Sequence, residues 1–374
     1  MRACLVAGIL FFALSRSVLV FGQAPPRAAT PEKAAPSPWP TTEALAARRV
    51  AAERRPLFAA NEPVAFTLVA DFRAVQRDRD PNSTRTYPAS LVIAGENGAE
   101  RTIPLRIRTR GHSRRLPRTC AFAPLRFEFA ENPVGTIFEG QRGLKLGTHC
   151  RDVDEYEQYV HREYLVYRIF NLLTPQSFRA RLGAATYVDA ATKKPVAARS
   201  ALFIEDDDDV ARRLEGRIED LEKVTFRSVD TETITRLTLF AYMIGNTDMS
   251  MFRLHNIRLV RTLSGKLHPI PYDFDYSGLV NARYAAPDKQ FGLGSVRDRL
   301  YRGPCRPAAD LEPFLSRMRE IRGDVMALYD SSPALTEGYQ RDAKAYLDQF
   351  YRTIERPGDI KRAFIDNCGN RAGM

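Results

Sequence analysis

A helix that must stop and a hairpin that must close constrain residues 242–278, YMIGNTDMSMFRLHNIRLVRTLSGKLHPIPYDFDYSG, more than any other stretch of this chain. The apolar run from Leu237 to Ile244 reads as a helix, and Gly245-Asn246 is a helix-stop signal. A strand is expected from Asn256 to Arg261, a turn at Ser264-Gly265, and a second strand from Lys266 to Tyr272. That second strand ends on Asp273-Phe274-Asp275. A hairpin brings its two ends together, so Asn256 and Asp273 are expected to face one small volume with Asp248 nearby. One carboxylate to orient a hydroxyl, with an Asn and an Asp to hold magnesium, is the equipment of phosphoryl transfer. Singly, each Asp is an ordinary turn residue. The three together in 37 residues point to chemistry.

On this reading Asp248 is the catalytic group that orients the acceptor. Asn256 and Asp273 ligate magnesium through oxygen, and Asp275 is a second metal ligand or a brace for the loop. Lys145, in GLKL, is placed to contact the α and β phosphates from a strand, with Glu163 of the helical HREYL pairing with it. The competing reading gives both residues only local surface ion pairs. Arg110-Gly111-His112-Ser113-Arg114 follows a strand, and a glycine turn flanked by arginines suits anions. Arg126, in PLRFEF, has the same status. The run Glu205 to Asp209, EDDDD, reads as the start of a helix, where negative charge complements the dipole, before it reads as a calcium site. G-x-S-x-G and H-E-x-x-H are both absent, which argues against an α/β-hydrolase nucleophile and a zincin site. His255 is expected to pack or hydrogen-bond beside Asn256.

Residues 1–24 carry an early arginine and a short apolar run interrupted by Arg16, which reads as a signal peptide. Residues 25–42 are a Pro/Ala-rich linker. Export then leaves Cys120, Cys150, Cys305 and Cys368, an even number that favours disulfides. Sequence-local pairing within each half is the preferred of three connectivities. The formal charge of +11, carried by arginine clusters, points outside the cytoplasm to anionic envelope components or phosphorylated ligands and not to nucleic acid. No transmembrane segment is expected after signal cleavage, and the protein is placed in the periplasm or outside the cell.

Alternating strands are expected at 64–72, 90–94, 101–108, 124–129, 143–146, 184–188 and 201–204, with a hairpin turn at Gly95-Glu96-Asn97-Gly98. The period changes to helical over 153–173, and late helices are expected at 311–328 and 335–354. This gives an α+β chain with a β-rich N-lobe at 43–205 and a mainly helical C-lobe at 206–374.

The order RGHS, PLRFEF, YVHREYLVYRIFN, ALFIEDDDD and GNTDMS…HNIRL…PIPYDFD resembles the spore-coat CotH-type kinase family over roughly residues 100–280. The resemblance implies an exported atypical kinase with a two-lobed protein-kinase-like fold. It implies ATP and Mg2+ between the lobes and transfer of the γ-phosphoryl group to a protein Ser/Thr or envelope saccharide hydroxyl. It also implies that Asp248 is catalytic and that Asp273 binds metal, at a separation of 25 residues (273 − 248). The chain departs from the pattern at Asn256, eight residues after Asp248 (256 − 248) where about five is usual, and at His112, where Asn is common. HipA-type kinases share the arrangement more distantly. Other readings stay open: a pseudokinase or envelope-binding module without turnover, a metal-dependent phosphoester or glycan hydrolase, or a structural protein.

Overall fold

Period-two alternation builds the first half of the molecule. In β1 (Val64–Ala70), β2 (Tyr87–Ala94) and, from Ile103 onward, β3 (Glu100–Thr109), every second side chain is buried. Such strands rest one face on a core. β4 (Leu125–Glu128) continues the alternation, whereas β5 (Gly143–Gly147) is buried on both faces. β6 (Ala180–Asp189) and β7 (Pro195–Ile204) pair antiparallel. The computed structural model describes residues 37–95 and 98–368. The expected signal peptide, most of the linker and the turn residues Glu96 and Asn97 therefore lie outside the described residues.

The seven strands close into a barrel in the order β1-β2-β3-β4-β5-β7-β6. The seam is parallel, running from Val64↔Gly183 to Ala70↔Asp189. This corrects the expected two-lobed, kinase-like architecture: the fold is a closed seven-stranded barrel with helices. Alternation reports which face a strand buries, not which strand it pairs with. The seam joins residues 119 positions apart (183 − 64), and nothing local in either strand announces that pairing. Phe66, Phe138 and Phe127 gather around Phe203 at centroid distances of 5.1, 5.5 and 6.1 Å, filling the interior as small barrels require. Gly183 is needed at the seam, since a Cβ there would lie 2.7 Å from the Phe66 ring.

Among the described residues the α-helices are α1 (Thr42–Glu53), α2 (Phe72–Arg77), α3 (Asp154–Leu173), α4 (Asp207–Arg213), α5 (Thr231–Ile244), α6 (Ala308–Glu320), α7 (Arg322–Asp330), α8 (Glu337–Glu355) and α9 (Pro357–Ile360). The expected single helix at 311–328 is two helices that meet at Ile321, beside the weak helix former Gly323. The acidic run at 205–209 starts a helix as expected, with Asp206 capping α4; Asp230 caps α5, which the sequence reading did not foresee. A second sheet has the order β10-β9-β8, from β8 (Gly216–Ile218), β9 (Ile257–Thr262) and β10 (Leu267–Pro271). One core joins α3, α5 and the late helices through residues such as Tyr167, Phe240, Phe274, Leu315 and Leu347. A separate core fills the barrel.

Both disulfides form between sequence-local partners, Cys120–Cys150 and Cys305–Cys368, which is compatible with an exported protein. Among the described residues no helix is long and apolar enough to cross a membrane.

His149 sits beside the first disulfide, 1% exposed, with ring centroids 4.8 Å from Phe122 and 5.6 Å from Tyr187. Burial pushes its pKa down to about 4. Below the ordinary value near 6.5 the unfolded chain therefore takes up a proton that the native protein refuses. The His149 contribution to stability is complete above that value and is lost as pH falls toward 4, by up to about 3 kcal/mol. His149→Phe is expected to flatten the decline in urea stability between neutral pH and about pH 4.5 by most of that amount. An unchanged profile would show that the imidazole is not held neutral.

Candidate functional site

The site begins where α5 must stop. Gly245 closes the helix in the left-handed region at φ 65°, and a Cβ there would lie 2.1 Å from Tyr346 Oη. The next turn is set by Asn246, whose Oδ1 accepts from the Asp248 amide at 3.0 Å. A bridge between Ser250 and His255 then folds the intervening loop back on itself. As a result Asn256 Nδ2 donates to Asp248 Oδ2 at 2.9 Å. The loop absorbs the long Asp–Asn separation, so the departure from the expected spacing does not part the two side chains. Asn256 and Asp273 both adopt left-handed backbone, at φ 56° and 63°. The Tyr272 amide donates to the Asn256 carbonyl at 3.0 Å and zips the hairpin base between them. Two strained non-glycine residues at one hairpin base are a mark of functional sites.

His255 Nε2 lies 3.5 Å from Asp248 Oδ2, and its contact with that carboxylate raises its pKa. His255 thus approaches the same Asp248 oxygen that Asn256 bonds.

Beneath the hairpin base lies Arg114. It is 6% exposed, and its guanidinium is 3.0 Å from Asp273, 3.2 Å from Asp275 and 3.8 Å from Glu163. The sequence placed Arg114 only as a flank of an anion-binding turn. Its role as the cation shared by three carboxylates was not legible, because its partners lie 49 to 161 positions away (163 − 114; 275 − 114). Burial pushes Asp273 up, but Arg114 and Arg110 outweigh it and hold this carboxyl below its ordinary value. Burial dominates at Asp275, with the charge of Asp273 adding to it, and lifts it to about 7; burial likewise lifts Glu163 to about 8.

The barrel contributes the cations. In strand register Arg108 lies opposite Arg126, and Arg126 lies opposite Lys145, so three basic side chains form one rung across β3, β4 and β5. Like charges directly opposite one another repel. The rung is held by acids at its margins: Arg108 bonds Glu128 at 2.8 Å, Arg126 bonds Asp206 at 2.7 Å, and Lys145 bonds Asp207. Burial pushes Lys145 down to about 8, against the pull of Asp207. Arg108 is the member of this rung that sequence reasoning missed; its signal was its place two residues before Arg110 on an alternating strand. The expected Lys145–Glu163 pair is not formed. Lys145 turns to the start of α4, where Asp207 also takes Arg258 at 2.9 Å, and Glu163 points to Arg114.

Arg110, Arg126, Lys145, Asp248, Asn256, Asp273 and Asp275 all line one cleft of about 540 Å³. Of the expected site residues, Glu163 alone lies behind it, 2% exposed. Hollows of about 620 Å³ on the barrel strands and 640 Å³ beside α8 gather no comparable set of carboxylates and cations.

The donor set fits a hard cation. Asn256 and Asp273 offer oxygen, and Asp273 keeps 20% of its side chain exposed in the cleft. Asp275 is 5% exposed and committed to Arg114, which favours its bracing role. Glu163 Oε1 is buried without a hydrogen-bond partner, while Asp275 Oδ2 faces the Arg114 guanidinium. Among the described residues no three His, Cys, Asp or Glu converge as a metal cage. A cation held here would be completed by ligand oxygens, as magnesium usually is.

No protein-family model matches this chain, and no curated protein matches it either.

Proposed function

We propose that the cleft binds ATP with magnesium and transfers the γ-phosphoryl group to a hydroxyl. The observation that carries this reading is the hydrogen-bonded pair Asp248–Asn256 meeting Asp273 at a strained hairpin base, in the same cleft as the in-register rung Arg108, Arg126 and Lys145. The likeness of RGHS, HNIRL and PYDFD to CotH-type kinases supports it further. In the transfer, the acceptor oxygen bonds to the γ-phosphorus, the bond from that phosphorus to its bridging oxygen breaks, and ADP departs. Asp248 orients the hydroxyl and passes its proton to solvent. The cationic rung and Arg110 neutralise phosphate charge. Asn256 and Asp273 would hold magnesium, which when bound offsets charge on the β and γ oxygens. Arg114 and Asp275 fix the orientation of Asp273. The acceptor is a protein Ser/Thr or an envelope saccharide hydroxyl, in keeping with export.

The test is transfer of label from γ-labelled ATP to serine, threonine and saccharide acceptors, in the wild-type protein beside Asp248→Asn. Magnesium-dependent transfer that the variant loses supports the reading. Hydrolysis of phosphoesters or glycans without ATP would replace it with the hydrolase alternative.

A further inference from the structure

We infer that the phosphate donor is held by its polyphosphate chain and not by its base, so that any nucleoside triphosphate, or inorganic tripolyphosphate, serves with magnesium. This rests on the phosphotransfer reading and specifies its donor.

Three observations converge. First, the barrel presents charge where a phosphate chain would lie. The rung Arg108–Arg126–Lys145 is accompanied in the cleft by Arg110, whose half-buried side chain makes no hydrogen bond or ion pair among the described residues. The carboxylates now on the rung, Asp206 and Asp207, offer one negative charge each, and a triphosphate offers more in one ligand.

Second, the cleft has little with which to hold a purine. Its apolar surface comes from Pro124, Leu254, Tyr272 and Tyr276. Tyr272 already carries two cations, with Arg258 5.1 Å and Lys145 5.3 Å from its ring centroid. Sites that recognise flat heterocycles are lined mainly by apolar and aromatic groups.

Third, closure leaves the barrel strands beside the rung no free backbone edge with which to read a base. At the end of β7, Ile204 pairs with Lys145 on one side and with Ala180 on the other. The next amide, Glu205, donates to the Arg179 carbonyl at 3.0 Å. A closed sheet has no open edge to lend. The base of a bound nucleotide is therefore left to solvent.

With tripolyphosphate the transfer balances in the same way. The acceptor oxygen bonds to a terminal phosphorus, the bond from that phosphorus to its bridging oxygen breaks, pyrophosphate leaves, and the hydroxyl proton passes through Asp248 to solvent.

The test is calorimetric titration of the full chain, in excess magnesium, with tripolyphosphate, ATP, GTP and adenosine, followed by transfer assays with each triphosphate. Tripolyphosphate, ATP and GTP are expected to bind within about threefold of one another, and adenosine to give no heat. Arg110→Gln breaks no hydrogen bond or ion pair among the described residues, though it removes one charge acting on Asp273, and is expected to weaken ATP and tripolyphosphate by one common factor of about tenfold. A preference for ATP over tripolyphosphate beyond about tenfold, or measurable adenosine binding, would overturn the inference while leaving phosphotransfer standing. Binding of all three without transfer would sink the phosphotransfer reading and keep this mode of recognition. No binding of ATP or tripolyphosphate would remove both.

Discussion

Replacement of Arg114 by leucine is expected to cost about 3–5 kcal/mol of stability, the largest loss any single substitution at this site should produce. The side chain is buried and is the cation shared by Asp273, Asp275 and Glu163. Removing it leaves Asp275 and Glu163 out of water with no paired cation, and leaves Asp273 with the more distant charge of Arg110. Their escape is to take up protons, and burial already lifts Asp275 to about 7 and Glu163 to about 8. A raised carboxyl contributes stability in full below its unfolded value and loses it as pH rises through the folded value. The deficit of the variant should therefore be wider near pH 8 than near pH 5. Arg114→Lys keeps the charge but lacks the planar fork, so it should recover only part of the loss. Guanidinium unfolding with an unchanged m-value reads the effect. A loss below about 1 kcal/mol would mean that the three carboxylates find other partners.

Asp248→Asn is expected to reduce phosphoryl transfer about a thousandfold while leaving ATP affinity within about twofold. The carboxylate is over a third exposed, and its known contacts are side-chain donors from Asn256 and His255. Asparagine has the same shape and keeps a carbonyl to accept from Asn256, so the hairpin base should survive. What it lacks is the negative charge that orients and deprotonates a hydroxyl. Parallel calorimetry and transfer assays separate the two effects. Loss of ATP binding in this variant would assign Asp248 to the donor, and retained transfer would remove it from the chemistry.

The sequence made many of the elements, and the grouping of most candidate residues, legible, because both depend on local signals. Alternation in β1 to β4, the helical period of α3 and the stop at Gly245 each lie within a few residues. The hairpin alone sufficed to bring Asn256 and Asp273 together, and the structure adds Asp248 through a direct hydrogen bond. What sequence reasoning missed depends on distant pairing. The parallel seam of β1 with β6 turns the sheet into a barrel, and no residue in either strand encodes its partner. The partner of Lys145 is Asp207 and not Glu163 for the same reason: both acids carried equal charge in the sequence, and only the path of β5 toward α4 decides between them. Arg114 looked like its neighbour Arg110 until the fold buried one and left the other in the cleft.

The central claim is that Asp273 and Asn256 hold magnesium against a triphosphate in this cleft. The most direct measurement is ATP binding by calorimetry, with and without magnesium, in the wild-type chain and in Asp273→Ala. The account predicts binding that requires magnesium and disappears in the variant while the fold, followed by circular dichroism, persists. Absence of ATP binding in the wild-type chain, or binding indifferent to both magnesium and Asp273, would contradict it.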